Sequence, residues 1–283
     1  MRIVGVDDGS GQVMVGSLNS DDTEVVVIAE LAEFWAAPAD HLTRDLRDSV
    51  RMRAHAVRLV PPVLPGARVV CIGLNYADHV AEGTFKDQEL PEYPTLFARW
   101  TASLTVDGAH VPVPAGEDGL DWEGEVVAWV GATLVDATPE EALAAVVGYS
   151  AFNDITSRKA QKRTSQWIIG KNGDNSGPLG PMVPAGEVGD LRNGLTVQTR
   201  VNGTIVQHGS TAQMIYGVGE TLAHISELLT LNPGDLLATG TPSGVGYART
   251  PPWLLHPGDV VEVEIDRLGT LTTHVVDNTH RLA

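Results

Sequence analysis

Cysteine, basic charge and long apolar runs are all scarce in this chain. One of its 283 residues is cysteine, Cys71, so no disulfide can form within the chain. Cys71 lies in the apolar run Val69, Val70, Cys71, Ile72, where a small buried hydrophobe is expected rather than a reactive thiol. Lys and Arg number 19 against 36 Asp and Glu, for a formal net charge of −17. So acidic a surface repels nucleic acid and anionic membranes, and neither is expected as a partner. No stretch approaches the roughly 20 apolar residues of a membrane span. The opening MRIVGVDDGS lacks the charged and apolar regions of a secretion signal, so the expected compartment is the cytoplasm.

What is present is an ordinary globular composition, 43% hydrophobic, with length for one large domain or a large and a small one. Residues 1–30 read as two short strands, RIVGV and EVVVIAE, with VMVGSL between them and Gly, Asp and Ser at the turns. From Ala39 to Val60, the spacing of Leu42, Leu46, Val50, Ala54 and Val57 predicts a helix. Pro61-Pro62 and Pro65-Gly66 then break the chain, which sets off a small N-terminal α+β domain over residues 1–64. From 65 to 283 short β-type runs dominate: ARVVCIGL, DWEGEVVAWVG, LTVQTRVNG, GDLLATG and GDVVEVEID. Helices are expected at Pro139–Val147 and from Met214 or Val218 to Leu229. Without a βαβ alternation, the pattern predicts an α+β fold with an antiparallel or mixed sheet.

Asp121, Glu123 and Glu125 alternate with Trp122 and Gly124 ahead of the apolar run Val126–Val130, and strand residues two apart share a face. A second strand-like run, Val146–Phe152, ends in Asn153-Asp154. Spacing alone leaves two readings open. The acids are solvated on a half-buried strand, or Glu123, Glu125 and Asp154 make a hard, all-oxygen site suited to Mg²⁺, Mn²⁺ or Ca²⁺. No Cys/His spacing suggests structural zinc. His79 and Glu82, three apart in NYADHVAE, share one face of a helical turn. They form either a surface pair or a histidine base oriented by a carboxylate. TGTPSGVG is either a glycine-rich turn or a close backbone approach to an anion; it lacks the lysine of a nucleotide-phosphate loop.

Five motifs occur in order: GLNYADHVAEG (73–83), DWEGEVVAWVG (121–131), FNDITSRKAQ (152–161), GPLGP (177–181) and TGTPSGVG (239–246). This set resembles the fumarylacetoacetate hydrolase family from about Val69 to the C-terminus. Residues 1–60 are similar to the small N-terminal domain of its longer members. The resemblance implies a β-rich, mixed-sheet β-sandwich roll for residues 65–283 and a homodimer. It implies a divalent cation, Mg²⁺ or Mn²⁺ with Ca²⁺ as a substitute in crystals, on Glu123, Glu125 and Asp154, with Asp121 outside the ligand set.

The resemblance also gives roles to other residues. His79 and Glu82, on a segment that orders over the substrate in similar proteins, activate water, and Lys171 neutralises oxyanion charge. Gln161, Thr241, Asn75 and Tyr76 contact a small keto-acid substrate, and Arg158 either does the same or is a structural ion-pair partner. The chain departs from the family pattern in four places. Asn172-Gly173 follow the lysine in place of Ser-Phe, and Lys159 replaces an acid beside Arg158. Leu74 stands where acylpyruvate-type relatives carry arginine, and Arg99 stands near where relatives often have lysine.

The implied activity is hydrolysis of a carbon–carbon bond in a 1,3-dicarbonyl, acylpyruvate-like acid through a metal-stabilised enolate. Decarboxylation of an oxaloacetate-type β-keto acid and isomerisation of an unsaturated keto diacid use the same site. A non-catalytic, metal-stabilised protein that binds a small acid is the alternative of another class.

Overall fold

Three sheets carry most of the regular structure in this computed structural model, which describes residues 1–82 and 92–279. Gly83, the end of the GLNYADHVAEG motif, and residues 280–283 at the end of the expected catalytic domain lie outside the described residues. The first sheet is antiparallel, in the order Arg51–Arg53, Glu24–Glu30, Val13–Leu18, Arg2–Asp7, Arg58–Val60. VMVGSL is therefore a strand in its own right, the centre of a meander.

The helix expected from Ala39 to Val60 does not form. Short helices at Leu31–Ala36 and Pro38–Thr43 precede the strands Arg51–Arg53 and Arg58–Val60. The physical reason lies in where the apolar residues pack. Leu42 and Leu46 pack on a cluster containing Phe34 and Trp35, whereas Met52, Ala54, Val57 and Leu59 pack on Val4, Val6, Leu18 and Val25. Val50 is 63% exposed. A straight helix offers one apolar stripe to one core, so residues serving two cores cannot share it.

The second sheet runs Thr95–Arg99, Val69–Gly73, Leu236–Ala238, Gly124–Val130, Val146–Asn153, Gly177–Leu179, Leu104–Val106. It is mixed: Leu236–Ala238 pairs parallel to Val69–Gly73, and Gly177–Leu179 parallel to Leu104–Val106. Gly124–Val130 is buried at every position, as a strand covered on both faces must be. One face gives Val126, Ala128 and Val130 to a core shared with Val197, Val263 and Leu271 of the third sheet. The other gives Val127 and Trp129 to a core shared with Ile3, Phe34 and Trp35.

The third sheet is ordered Thr204–Ser210, Thr196–Val201, Val260–Ile265, Gly269–Val276, His110–Pro112. The architecture is thus α+β and mostly sheet. Helix Pro139–Ala144 opens with a capping box between Thr138 and Glu141. It stops short of Val147 because Val146 pairs with Val130. The later helix spans Val218–Ser226. Among the described residues no helix is long and apolar enough to cross a membrane.

Several contacts anchor the first sixty residues to the rest, among them an ion pair of the Met1 ammonium with Glu187 at 2.7 Å. Trp35 stacks on Trp129 with ring centroids 5.5 Å apart and planes at 11°, and its indole N–H donates to Pro62 O. Ile3 and Met182 exchange backbone hydrogen bonds of 2.8 and 2.9 Å.

Candidate metal centre

The pairing of Gly124–Val130 with Val146–Asn153 sets Glu125 opposite Phe152 and Gly124 opposite Asn153. Beyond the ladder, Asp154 N–H donates to Glu123 O at 2.9 Å, and Asn153 Oδ1 accepts from Glu123 N–H at 3.1 Å. This register brings Glu123, Glu125 and Asp154 together, all buried, with one carboxylate oxygen of each within 4.8 Å of the others. The acids are therefore not solvated on an open strand face.

Asp121 lies further along and exchanges backbone bonds with Thr156. Its carboxylate accepts from Gly246 N–H at 2.7 Å, Tyr247 N–H at 3.1 Å and Arg158 Nε at 2.7 Å. It stands outside the cluster of three, its carboxylate taken up by these donors instead.

Three cations face these four acids. Lys171 Nζ donates to Glu123 Oε2 at 2.5 Å and to Asp154 Oδ2 at 2.6 Å. Arg99 holds the other oxygen of Asp154 and is itself fixed by the hydroxyls of Ser103 and Ser176 and by the carbonyls of Ile155 and Ser176. Arg158 bridges Asp121 and Glu123, and Gln161 Oε1 accepts from its Nη1 at 3.0 Å. Burial opposes ionisation of Glu123, but Lys171 and Arg158 outweigh it and hold the carboxyl below the ordinary glutamate range. Burial likewise opposes the charge on Lys171, and Asp154 and Glu123 keep it an ammonium.

Glu125 differs. Burial, with Asp154 and Glu123 beside it, pushes its carboxyl well above the ordinary range. Its one hydrogen-bond donor among the described residues is Gly240 N–H, at 2.9 Å. Buried carboxylates in excess of their cations, with oxygen as the sole donor atom, fit a hard divalent ion. The three acids are capable of holding one.

The glycine-rich segment 239–246 explains itself here. Gly240 has φ +85°, and a Cβ there would sit 2.9 Å from the Asn75 side chain. Gly244 has φ +107°, and a Cβ would meet Val206 O at 2.2 Å. The freed backbone delivers N–H groups to three acids: Gly240 to Glu125, Gly244 to Glu82 and Gly246 to Asp121.

A cavity of about 760 Å³ opens over Glu123, Glu125 and Lys171. His79 and Glu82 line the same cavity from the helix Ala77–Glu82, with His79 Nδ1 2.8 Å from Glu82 Oε1. Arg158, Gln161 and Thr241 also reach its wall. The Thr241 hydroxyl donates to Gly124 O at 2.9 Å and accepts from Gln207 Nε2 at 2.8 Å. Asn75 and Tyr76 are placed differently and do not contribute to that wall. Asn75 is buried and ties the backbone of Tyr216 and Thr239. Tyr76 is in the core, and its hydroxyl has no partner among the described residues. Leu74, with φ +60°, lines the cavity just before them.

Gln207 escapes a reading of the sequence, and Arg99 is visible there only as a departure from a usual lysine, with no sign of what it holds. Arg99 supplies a buried cation to Asp154, and Gln207 accepts from Gly124 N–H at 3.0 Å while its amide holds Thr241 and Pro242. The available signal was slight: a single arginine ending an apolar strand, and a glutamine inside one.

The sheet order and the buried acid cluster define a class. The family described as Fumarylacetoacetate (FAA) hydrolase C-terminal matches residues 68–276. The chain belongs to the fumarylacetoacetate hydrolase family and is an enzyme. Among individual relatives, it is 36% identical over 265 residues to oxaloacetate tautomerase YisK of Bacillus subtilis, covering 93% of this chain and 86% of the relative. The structure of a fumarylacetoacetate hydrolase from psychrophilic Exiguobacterium antarcticum superposes with a TM-score of 0.83 at 33% identity, covering 98% of this chain and all of that one. Fumarylpyruvate hydrolase from Pseudomonas aeruginosa, solved in complex with Mn²⁺ and pyruvate, gives a TM-score of 0.68 at 33% identity over 78% of this chain and 92% of the other.

Proposed function

We propose that the chain acts on a small keto acid through an enolate, and that its activity is keto–enol tautomerisation of an oxaloacetate-type acid. One observation carries the reading: the acid cluster with Lys171 and the His79–Glu82 pair face a single cavity. Such chemistry needs a base near the carbon that loses its proton and positive charge near the oxygen that gains electrons. The B. subtilis relative, named an oxaloacetate tautomerase and matched over nearly the whole chain, supports this choice.

Glu123, Glu125 and Asp154 would hold the cation, for which Mg²⁺ or Mn²⁺ suits the oxygen set; when bound, it supplies Lewis-acid polarisation of a keto oxygen. His79, oriented by Glu82, removes a proton from the carbon between the two carbonyl groups. Lys171 donates a hydrogen bond to the oxygen on which charge develops. That oxygen takes a proton from water and His79 returns its own to solvent, so the substrate is isomerised with no net gain or loss. Arg158 keeps Glu123 and Gln161 in place.

A second reading is favoured by the likeness to the P. aeruginosa hydrolase. Here His79 takes its proton from water, and the hydroxide adds to the distal carbonyl of an acylpyruvate. The bond between that carbon and the next breaks, its electron pair leaves on a pyruvate enolate beside Lys171, and the proton held by His79 passes to that enolate to give pyruvate.

The test follows enol absorbance with oxaloacetate and with an acylpyruvate, with Mg²⁺ or Mn²⁺ added. Faster keto–enol exchange of oxaloacetate, absent in Glu123→Ala, is the expected result. Cleavage of the acylpyruvate without such exchange selects hydrolysis. Full activity of Glu123→Ala without metal sinks both.

A further inference from the structure

The outer part of the cavity holds two cations that the chemistry above leaves unused. Arg249 lines it, with one terminal nitrogen donating to Val206 O at 2.8 Å and Gly244 O at 3.2 Å. Its guanidinium carbon lies 5.7 and 5.4 Å from the rings of Trp122 and Trp253. Its Nε is buried and has no hydrogen-bond partner among the described residues. Lys162 lines the same cavity, its ammonium 3.7 Å from the centre of the Tyr247 ring. A smaller hollow lined by Arg158, Lys159, Lys162, Arg163 and Tyr247 adjoins it through shared walls.

Among the described residues no carboxylate pairs with Arg249 or Lys162, in a chain where acids outnumber bases 36 to 19. By contrast, the neighbouring Lys159 is paired with Asp118 and Arg158 with two acids. Cations without acid partners, set in a cavity and steadied by indole and phenol rings, are suited to a ligand's own anion. At −17 overall, the chain's field opposes approach of a doubly charged acid, and local cations in the cavity wall offset that opposition. The wall at Leu74 is apolar and offers no clamp for a carboxylate.

We propose that Arg249 and Lys162 form a second anion subsite that receives the far carboxylate of a keto diacid, and so set a preference for dianionic over monoanionic keto acids. This specificity rests on the keto-acid reading above, and binding measurements test it independently of turnover.

The probes are matched pairs that cannot be cleaved as β-keto acids: 2-oxoglutarate with 2-oxopentanoate, and 2-oxoadipate with 2-oxohexanoate. Titration calorimetry is done on the Mg²⁺-supplied protein. At least one diacid is expected to bind about ten- to hundredfold more tightly than its monoacid, the scale of a charged hydrogen bond in a sheltered site. Arg249→Met should cut that preference below about threefold, and Lys162→Gln should cut it about threefold, while each monoacid shifts less than about twofold. Lys162 is exposed, so its variant keeps the fold and decides the matter if Arg249→Met does not fold. Equal affinity within both pairs, no binding of either diacid, or variants that weaken diacid and monoacid alike would overturn the proposal. A diacid preference lost in the variants establishes the subsite even if no keto acid is turned over. Efficient turnover of keto monoacids with no diacid preference removes the subsite and leaves the enolate reading intact.

Discussion

The two ends of the cavity treat charge in opposite ways. At the inner end every cation has an acid partner: Lys171 holds Glu123 and Asp154, Arg99 holds Asp154, and Arg158 holds Asp121 and Glu123. At the outer end Arg249 and Lys162 lean on rings and carbonyls. Fully buried charges must be paired within the fold, whereas a part-buried Arg249 and an exposed Lys162 on the cavity wall can wait for a ligand. The inner end is thus built into stability, and the outer end is free to serve selection.

Breaking the inner pairing has the largest expected consequence. Asp154→Asn leaves Arg99 and Lys171 short of a buried anion, so unfolding free energy should fall by about 3–5 kcal/mol, with metal binding and turnover lost. Denaturant melts and metal titration check this; a variant as stable as the parent contradicts the structural half. His79→Gln removes a base that holds no buried pair together, so turnover should drop roughly 10²–10⁴-fold with little change in melting temperature. Equal losses in activity and stability would place His79 with the inner network instead.

Lys171→Met separates charge balance from chemistry. Turnover should fall about 10²–10³-fold, yet Mn²⁺ should bind more tightly, because an ammonium no longer competes for Glu123 and Asp154. Weaker Mn²⁺ binding in calorimetry would refute that competition.

The smallest effect is one of pH. The folded-state value of Glu125 is raised, so its contribution to stability is full below the ordinary glutamate value and is lost as pH climbs through the folded one. Metal must displace that proton. Mn²⁺ affinity should therefore rise with pH, by about tenfold per unit while Glu125 is protonated, and level off once it ionises. Calorimetry in buffers of different ionisation heat counts the proton released, and an affinity flat across pH counts against it.

The inner end was far more legible in the sequence than its supports. Glu123, Glu125 and Asp154 stand beside short apolar runs that announce their strands, and the ordered motifs around them narrow the reading. Arg99 and Gln207 show no such context, since a buried partner is defined by residues distant in the chain. The apolar spacing from Leu42 to Val57 imitated a helix because two cores, not one, draw on those residues. The family resemblance made Asn75 and Tyr76 substrate contacts. The left-handed turn at Leu74 is followed by Asn75 turned into a backbone network and Tyr76 into the core. The outer cations were invisible for a simpler reason: a lone arginine or lysine in a loop is ordinarily solvated.

The stacking of Trp35 on Trp129 bears on how the chain is made. Ile3, Val15, Phe34 and Trp35 leave the ribosome first, but Val127, Trp129, Phe152 and Met182, which cover them, are synthesised later. Until Met182 has emerged, the nascent first sheet and the helix Leu31–Ala36 carry an uncovered aliphatic and aromatic face, of the kind that chaperones hold and that aggregates seed from.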